Sequence, residues 1–70
     1  MRDTIAVPQW WLYSDGHVLA GALLVKDELN IEAQLLLDGA LVYGSRHASR
    51  ALAEGELTAL RGQCAQEGWQ

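Results

Sequence analysis

The chain predicts an α+β fold, a four-stranded antiparallel β-meander with one C-terminal α-helix packed on one face of the sheet, in the order ββββα. Two Asp-Gly pairs, Asp15-Gly16 and Asp38-Gly39, each sit between alternating apolar runs. A type I′ turn needs φ > 0 at both central residues, so Asp-Gly in that setting marks a two-residue hairpin and sets the register of the strands it joins. After Ala48 the apolar spacing changes from alternation to a helical stripe of Ala53, Leu57, Leu60 and Cys64. No linker, repeat or low-complexity stretch separates these segments, so residues 1–70 read as a single small domain.

The elements follow in order. The single proline, Pro8, stands just before the first strand, where a missing N–H costs little. Strands are expected at residues 9 to 14, 17 to 25, 29 to 37 and 40 to 47, joined by Asp15-Gly16, by Lys26-Asp27-Glu28 and by Asp38-Gly39. Ser49 is a good N-cap for the helix, and Gly68 followed by Trp69 predicts a Schellman stop with Trp69 on Cys64. Gly55 and Gly62 each weaken this helix by about 1 kcal/mol relative to alanine, so it depends on docking rather than on propensity.

Carrying the register through the turns pairs Leu12 with Leu19 and Leu35 with Val42, and a three-residue loop after Val25 pairs Leu23 with Ile31. Trp10, Gly21, Ala33 and Gly44 then form one row, a trough of small residues edged by an indole in which the helix is expected to dock closely. Leu12, Leu19, Leu23, Val25, Ile31, Leu35, Leu37 and Val42 share that face and complete the expected core with the helix stripe. The opposite face is expected to be polar if it meets water, and Glu32 and Gln34 fit that. The rest does not: Trp11, Tyr13, Val18, Leu36, Leu41 and Tyr43 make a contiguous apolar patch, extended by Ala20, Ala22 and Leu24. Monomers seldom leave such a patch open, and its Trp and Tyr content is typical of protein interfaces.

Composition points the same way. A chain of 70 residues buries only about 60% of the surface its unfolded form exposes, so its core is thin. Cys64 is the only cysteine and His17 and His47 lie far apart, which leaves oligomerisation, rather than a disulfide or a metal, to add stability. Nine acidic against five basic residues give a net charge of −4, which argues against nucleic acid as a partner. The longest apolar run, Val18 to Val25, is too short to span a bilayer and no signal peptide precedes it, so a cytoplasmic protein with no membrane association is expected.

No phosphate loop, paired-carboxylate motif, metal-ligand spacing or nucleophile elbow is present, so neither catalysis nor a cofactor is expected. Cys64 lies on the core-facing helix stripe, where a thiol is an inert small hydrophobe, and Ser14 and His17 meet across the first turn as a polar pair. The one basic cluster is Arg46, His47 and Arg50 at the junction of strand four and the helix, where the unpaired N–H groups after Ser49 suit an anion. The competing reading pairs Arg50 with Glu54 one turn on.

In its hairpins, basic junction and C-terminal helix the chain resembles, in architecture, the small sheet-and-helix arm domains of phage-type integrases, which lay a sheet on DNA. Those domains carry Lys and Arg along the sheet; here Trp11, Tyr13, Leu36 and Tyr43 stand with Glu32, so the resemblance implies no DNA-reading residues. In size and charge the chain is also similar to small inhibitor and accessory proteins of bacteria and their phages. The expected function is a non-catalytic protein-interaction module, a homodimer that could also offer its apolar face to another protein. The alternative is nucleic-acid or anion binding through Arg46, His47 and Arg50.

Overall fold

The computed structural model describes residues 5–70. Strands β1 (Val7–Ser14), β2 (His17–Asp27), β3 (Asn30–Leu37) and β4 (Ala40–His47) precede a single helix, α1 (Arg50–Gln66). The strands form one antiparallel sheet in the order β1-β2-β3-β4. Both Asp-Gly turns have the left-handed backbone their sequence requires, with φ of 49° and 80° at Asp15 and Gly16 and of 51° and 87° at Asp38 and Gly39. The β2–β3 turn works differently: the Asp27 carboxylate accepts the Leu29 N–H and the Asn30 side-chain amide, at 2.9 to 3.0 Å. These bonds also hold the Asp27 carboxyl below its usual range, the Asn30 amide first and the Leu29 N–H second.

Helix α1 begins and ends as its sequence dictates. The Ser49 hydroxyl accepts the Leu52 N–H at 3.2 Å. At the other end the Trp69 N–H bonds the Cys64 carbonyl and the Gly68 N–H the Ala65 carbonyl, a Schellman closure that Gly68 permits with φ of 106°. No acidic residue in the first turn or basic residue in the last supports the helix dipole, so docking must order it. Ala53 and Leu57 supply that docking, packing with Leu23, Ile31 and Ala33 of the sheet and with Leu60 alongside. Among the described residues no helix is long and apolar enough to cross a membrane.

At the start of β1 Gln9 bulges out of the ladder, so that Pro8, expected just before the strand, lies within it and pairs with Ala22; two further departures from the expected register have different consequences. An irregularity between Val25 and Asp27 pairs Leu23 with Ala33 rather than Ile31. That is a slip of two residues, so every side chain keeps its face. Between β3 and β4 the expected pairing holds from Leu37–Ala40 to Leu36–Leu41, and then Leu35 pairs with Tyr43 because Val42 bulges out of the ladder. A one-residue slip turns the rest of β4 over. Tyr43, Ser45 and His47 therefore face the helix, Gly44 faces away from it opposite Gln34, and Val42 is exposed. The expected trough is corrected accordingly: the row is Trp10, Gly21, Leu35 and Tyr43, and Ala33 neighbours Ser45. Val25, expected in the core, is 47% exposed near the end of β2.

The two glycines of that expected row have separate reasons. At Gly21 an added Cβ would lie 2.3 Å from Cε2 of Trp10, whose indole lies across the glycine with its Nε1 buried and unpartnered among the described residues. At Gly44 the nearest group is the Glu32 carboxylate, 3.2 Å from an added Cβ. The close approach is thus indole on backbone rather than helix on sheet. Gly21→Ala is expected to destabilise by about 1–3 kcal/mol through displacement of Trp10, and Gly44→Ala by no more than about 0.5 kcal/mol. Thermal melts of the two variants check the ranking.

Candidate interaction surface

Because α1 covers only one side of the sheet, the other side has no helix over it among the described residues. The ladder places Trp11, Ala20, Leu36 and Leu41 in one row of that open face, and Tyr13 and Val18 in the next. Trp11, Tyr13 and Leu41 project from it, at 52%, 59% and 57% exposure. Beside them lies a cleft of about 340 Å³ lined by Pro8, Trp11, Val18, Ala20, Ala22 and Leu36. The small side chains of β2 make the hollow, and the larger ones on β1 and β4 make the relief around it. Further along, the Gln34 amide donates to Glu32 at 2.7 Å, and Gly44 leaves room for the Glu32 carboxylate.

Tyr43 does not belong to this face. The Val42 bulge sends it to the helix side, where its hydroxyl donates to Oε2 of Glu56 at 2.6 Å. His47 Nε2 meets Oε1 of the same carboxylate at 2.5 Å. The Tyr43 hydroxyl first, and His47 second, hold the Glu56 carboxyl below its usual range, and Glu56 in turn raises Tyr43. Ser45 Oγ lies 3.3 Å from the same His47 nitrogen. Serine and carboxylate thus share one ring nitrogen, so the three form no nucleophile-base-acid relay, which needs them on opposite nitrogens. The cluster ties β4 to the helix.

The basic junction is dispersed. Arg50 pairs with Glu54 at 2.9 Å, His47 with Glu56, and Arg46 stands opposite Glu32 on the open face. With two of the three groups turned to carboxylates, they present no common cradle for an anion. Arg46→Ala with Arg50→Ala should leave the chain's behaviour towards oligonucleotides unchanged, because duplex and single strands are expected not to bind at physiological salt. A fluorescence-anisotropy titration reads this directly.

Asp38 is the neighbour of His17 that sequence reasoning missed. The carboxylate accepts the Val18 N–H at 2.9 Å and meets His17 Nδ1 at 2.6 Å, joining two hairpin ends that are 21 residues apart in sequence. His17 and Asp38 are about half exposed, and Ser14, opposite His17 in the ladder, makes no hydrogen bond to it among the described residues. Burial, and then the charge of Glu67, raise the Cys64 thiol, which disfavours the nucleophilic thiolate. Among the described residues no group of three or more His, Cys, Asp or Glu side chains could hold a metal ion.

The fold and this surface define a one-sheet, one-helix α+β domain with an uncovered apolar face. Comparison with protein-family models, with curated proteins and with solved structures finds no match to the chain.

The His17–Asp38 pair sets a pH window. Its hydrogen bond to Asp38, and then the Asp38 charge, raise His17 above 6.5, so that contribution is full below 6.5 and is lost as pH rises through the raised folded value. The Val18 N–H first, and His17 second, lower Asp38 below 3.8, so its contribution is full above 3.8 and is lost as pH falls through the lower folded value. The pair is strongest between those two ordinary values. An NMR titration should give a His17 midpoint above 6.5 that falls in Asp38→Asn.

Proposed function

We propose that the protein is a non-catalytic interaction module that self-associates as a homodimer through its open sheet face, acting as a small accessory or inhibitor protein by contact rather than chemistry. One observation carries the reading: a single helix serves a sheet with two apolar faces, and the face it leaves uncovered presents Trp11, Tyr13 and Leu41 at more than half exposure. Water-exposed sheet faces normally alternate to polar residues, whereas this one has Val18, Ala20 and Leu36 between Trp11 and Tyr13 on one side and Leu41 on the other.

The relief of the face favours a second copy as occupant. A two-fold interface uses the same patch twice, so it needs both projections and hollows within one patch. Trp11, Tyr13 and Leu41 are the projections, and the cleft over Ala20 and Leu36 is the hollow. Glu32 and Arg46, neighbours at one end of the face, supply charges of both signs for a partner's rim.

Sedimentation at micromolar concentration is expected to give a species of twice the 7.7 kDa chain mass, persisting at high salt because apolar contacts are not screened. Leu36→Lys should convert it to monomer. A single 7.7 kDa species, unchanged in mass and stability by that substitution, contradicts the reading.

A further inference from the structure

Strand β4 is the edge of the sheet opposite β1, and the ladder fixes which of its backbone groups are free. The Asp38 N–H donates to the Val18 carbonyl at 2.8 Å, which makes Leu36, Gln34 and Glu32 the β3 residues that bond β2 and leaves the residues between them to bond β4. Their partners Tyr43, Ser45 and His47 therefore turn their N–H and C=O groups inward. Gly44 and Arg46, which alternate with them, turn theirs outward and find no backbone partner among the described residues. The Val42 bulge bounds this edge at one end and the start of α1 at Arg50 bounds it at the other, so the free stretch runs from Tyr43 to His47.

Two opposite charges flank that stretch on the open face. Glu32 and Arg46 stand opposite each other in the ladder, yet no ion pair joins them among the described residues. The Gln34 amide, donating at 2.7 Å, holds the Glu32 carboxylate instead, and Oε2 lies 3.2 Å from where a Cβ on Gly44 would be. An acid is thus held beside an edge position that has no side chain of its own, while the base next to it is left without a partner. From this arrangement we propose that a second copy of the chain adds to the sheet, β4 against β4, antiparallel about a two-fold axis at Ser45.

That register sets Gly44 of each copy against Arg46 of the other, so outward groups meet outward groups in reciprocal hydrogen-bonded pairs. Each Arg46 side chain then crosses the other copy's Gly44 and meets the Glu32 carboxylate held there, forming ion pairs that neither copy makes alone. On the helix side Tyr43 of each copy faces His47 of the other, and the two Ser45 side chains meet on the axis. The other registers that match outward groups place the axis at Gly44 or at Arg46. They set Arg46 against the Val42 bulge or against its own copy, and both lose the charge pairing. The helices clear one another: α1 centres on β3, and β3 of one copy lies three strand spacings, about 14 Å, from β3 of the other, more than the roughly 8–10 Å at which helices pack. A short ladder with exposed ion pairs buries little area, so this contact is weaker than the face contact and forms above the micromolar range. It uses the edge rather than the open face, so the two stand or fall separately, and together they carry assembly beyond the dimer.

The test is made on Leu36→Lys, which takes the open face out of play, by sedimentation from about 10 μM to about 1 mM. Over that range the chain should pass from one-chain towards two-chain mass, and less so at high salt. Arg46→Glu and Glu32→Arg are then added to this chain one at a time. Either alone sets like charges against each other across the axis and should weaken association by about tenfold or more. Mixed in equal amounts, the two variants should associate at least as tightly as the Leu36→Lys chain, because each supplies the charge the other needs; a loss of folding in either variant gives no such rescue. With Cys64→Ser also in place, Ser45→Cys should form a disulfide between copies in a glutathione buffer, since facing residues of a non-hydrogen-bonded pair bring their Cβ atoms close, and Leu41→Cys should not. The proposal is overturned if Leu36→Lys keeps one-chain mass to about 1 mM, which leaves the edge to a strand of another protein. It is equally overturned if the mixed variants associate no better than either alone, or if Ser45→Cys cross-links no more than Leu41→Cys.

Discussion

One helix cannot cover both faces of a sheet, and most of this structure follows from which face it takes. The molecule is a slab, 37 × 25 × 15 Å, in which a sheet layer and a helix layer account for the short dimension. Within it the helix is the dependent partner. Gly55, Gly62 and terminal turns without a charge that favours the helix dipole leave it little stability of its own, so Ala53 and Leu57 must seat on Leu23, Ile31 and Ala33 for it to persist. What that seating leaves uncovered is the open face with Trp11, Tyr13 and Leu41, and the flank along β1 where Trp10 lies over Gly21.

Polar contacts pin the slab at two separate places. Asp38 fastens the β3–β4 turn to the start of β2 through His17 and the Val18 N–H. Glu56 fastens the helix to β4 through Tyr43 and His47. Each carboxylate takes two hydrogen bonds, and each is thereby held in its charged form to lower pH than usual. Both histidines are thus committed to structure. This accounts for the absence of a shared anion cradle at the junction, where Arg50 is also turned to a carboxylate, Glu54.

Much of the fold was legible because its signals are local. Asp-Gly fixes turn type within two residues, Ser49 caps within three, and Gly68 closes the helix within five. The Val42 bulge was not legible, since a valine in an alternating run carries no mark of irregularity. From that one residue came the misplacement of Tyr43 on the open face and of Gly44 under the helix, while the two-residue slip at the β2–β3 turn left the faces intact. The partners of His17 and His47 lay outside the reach of spacing arguments, because 21 and 9 residues of chain separate them from their carboxylates. Trp11, Tyr13, Val18, Leu36 and Leu41 could be grouped because they lie on the unbulged side of every register shift that turns a strand over.

Whether the open face is an interface between copies is decided most directly by intermolecular contacts in solution. In a sample mixing chains with 13C-labelled Leu methyls and chains without label, isotope-filtered nuclear Overhauser spectra select contacts between different copies. The account predicts cross-peaks from the Leu36 and Leu41 methyls of one copy to the Trp11 and Tyr13 rings of the other, disappearing in Leu36→Lys. Filtered spectra without those peaks, or peaks confined to residues on the helix side of the sheet, would contradict it.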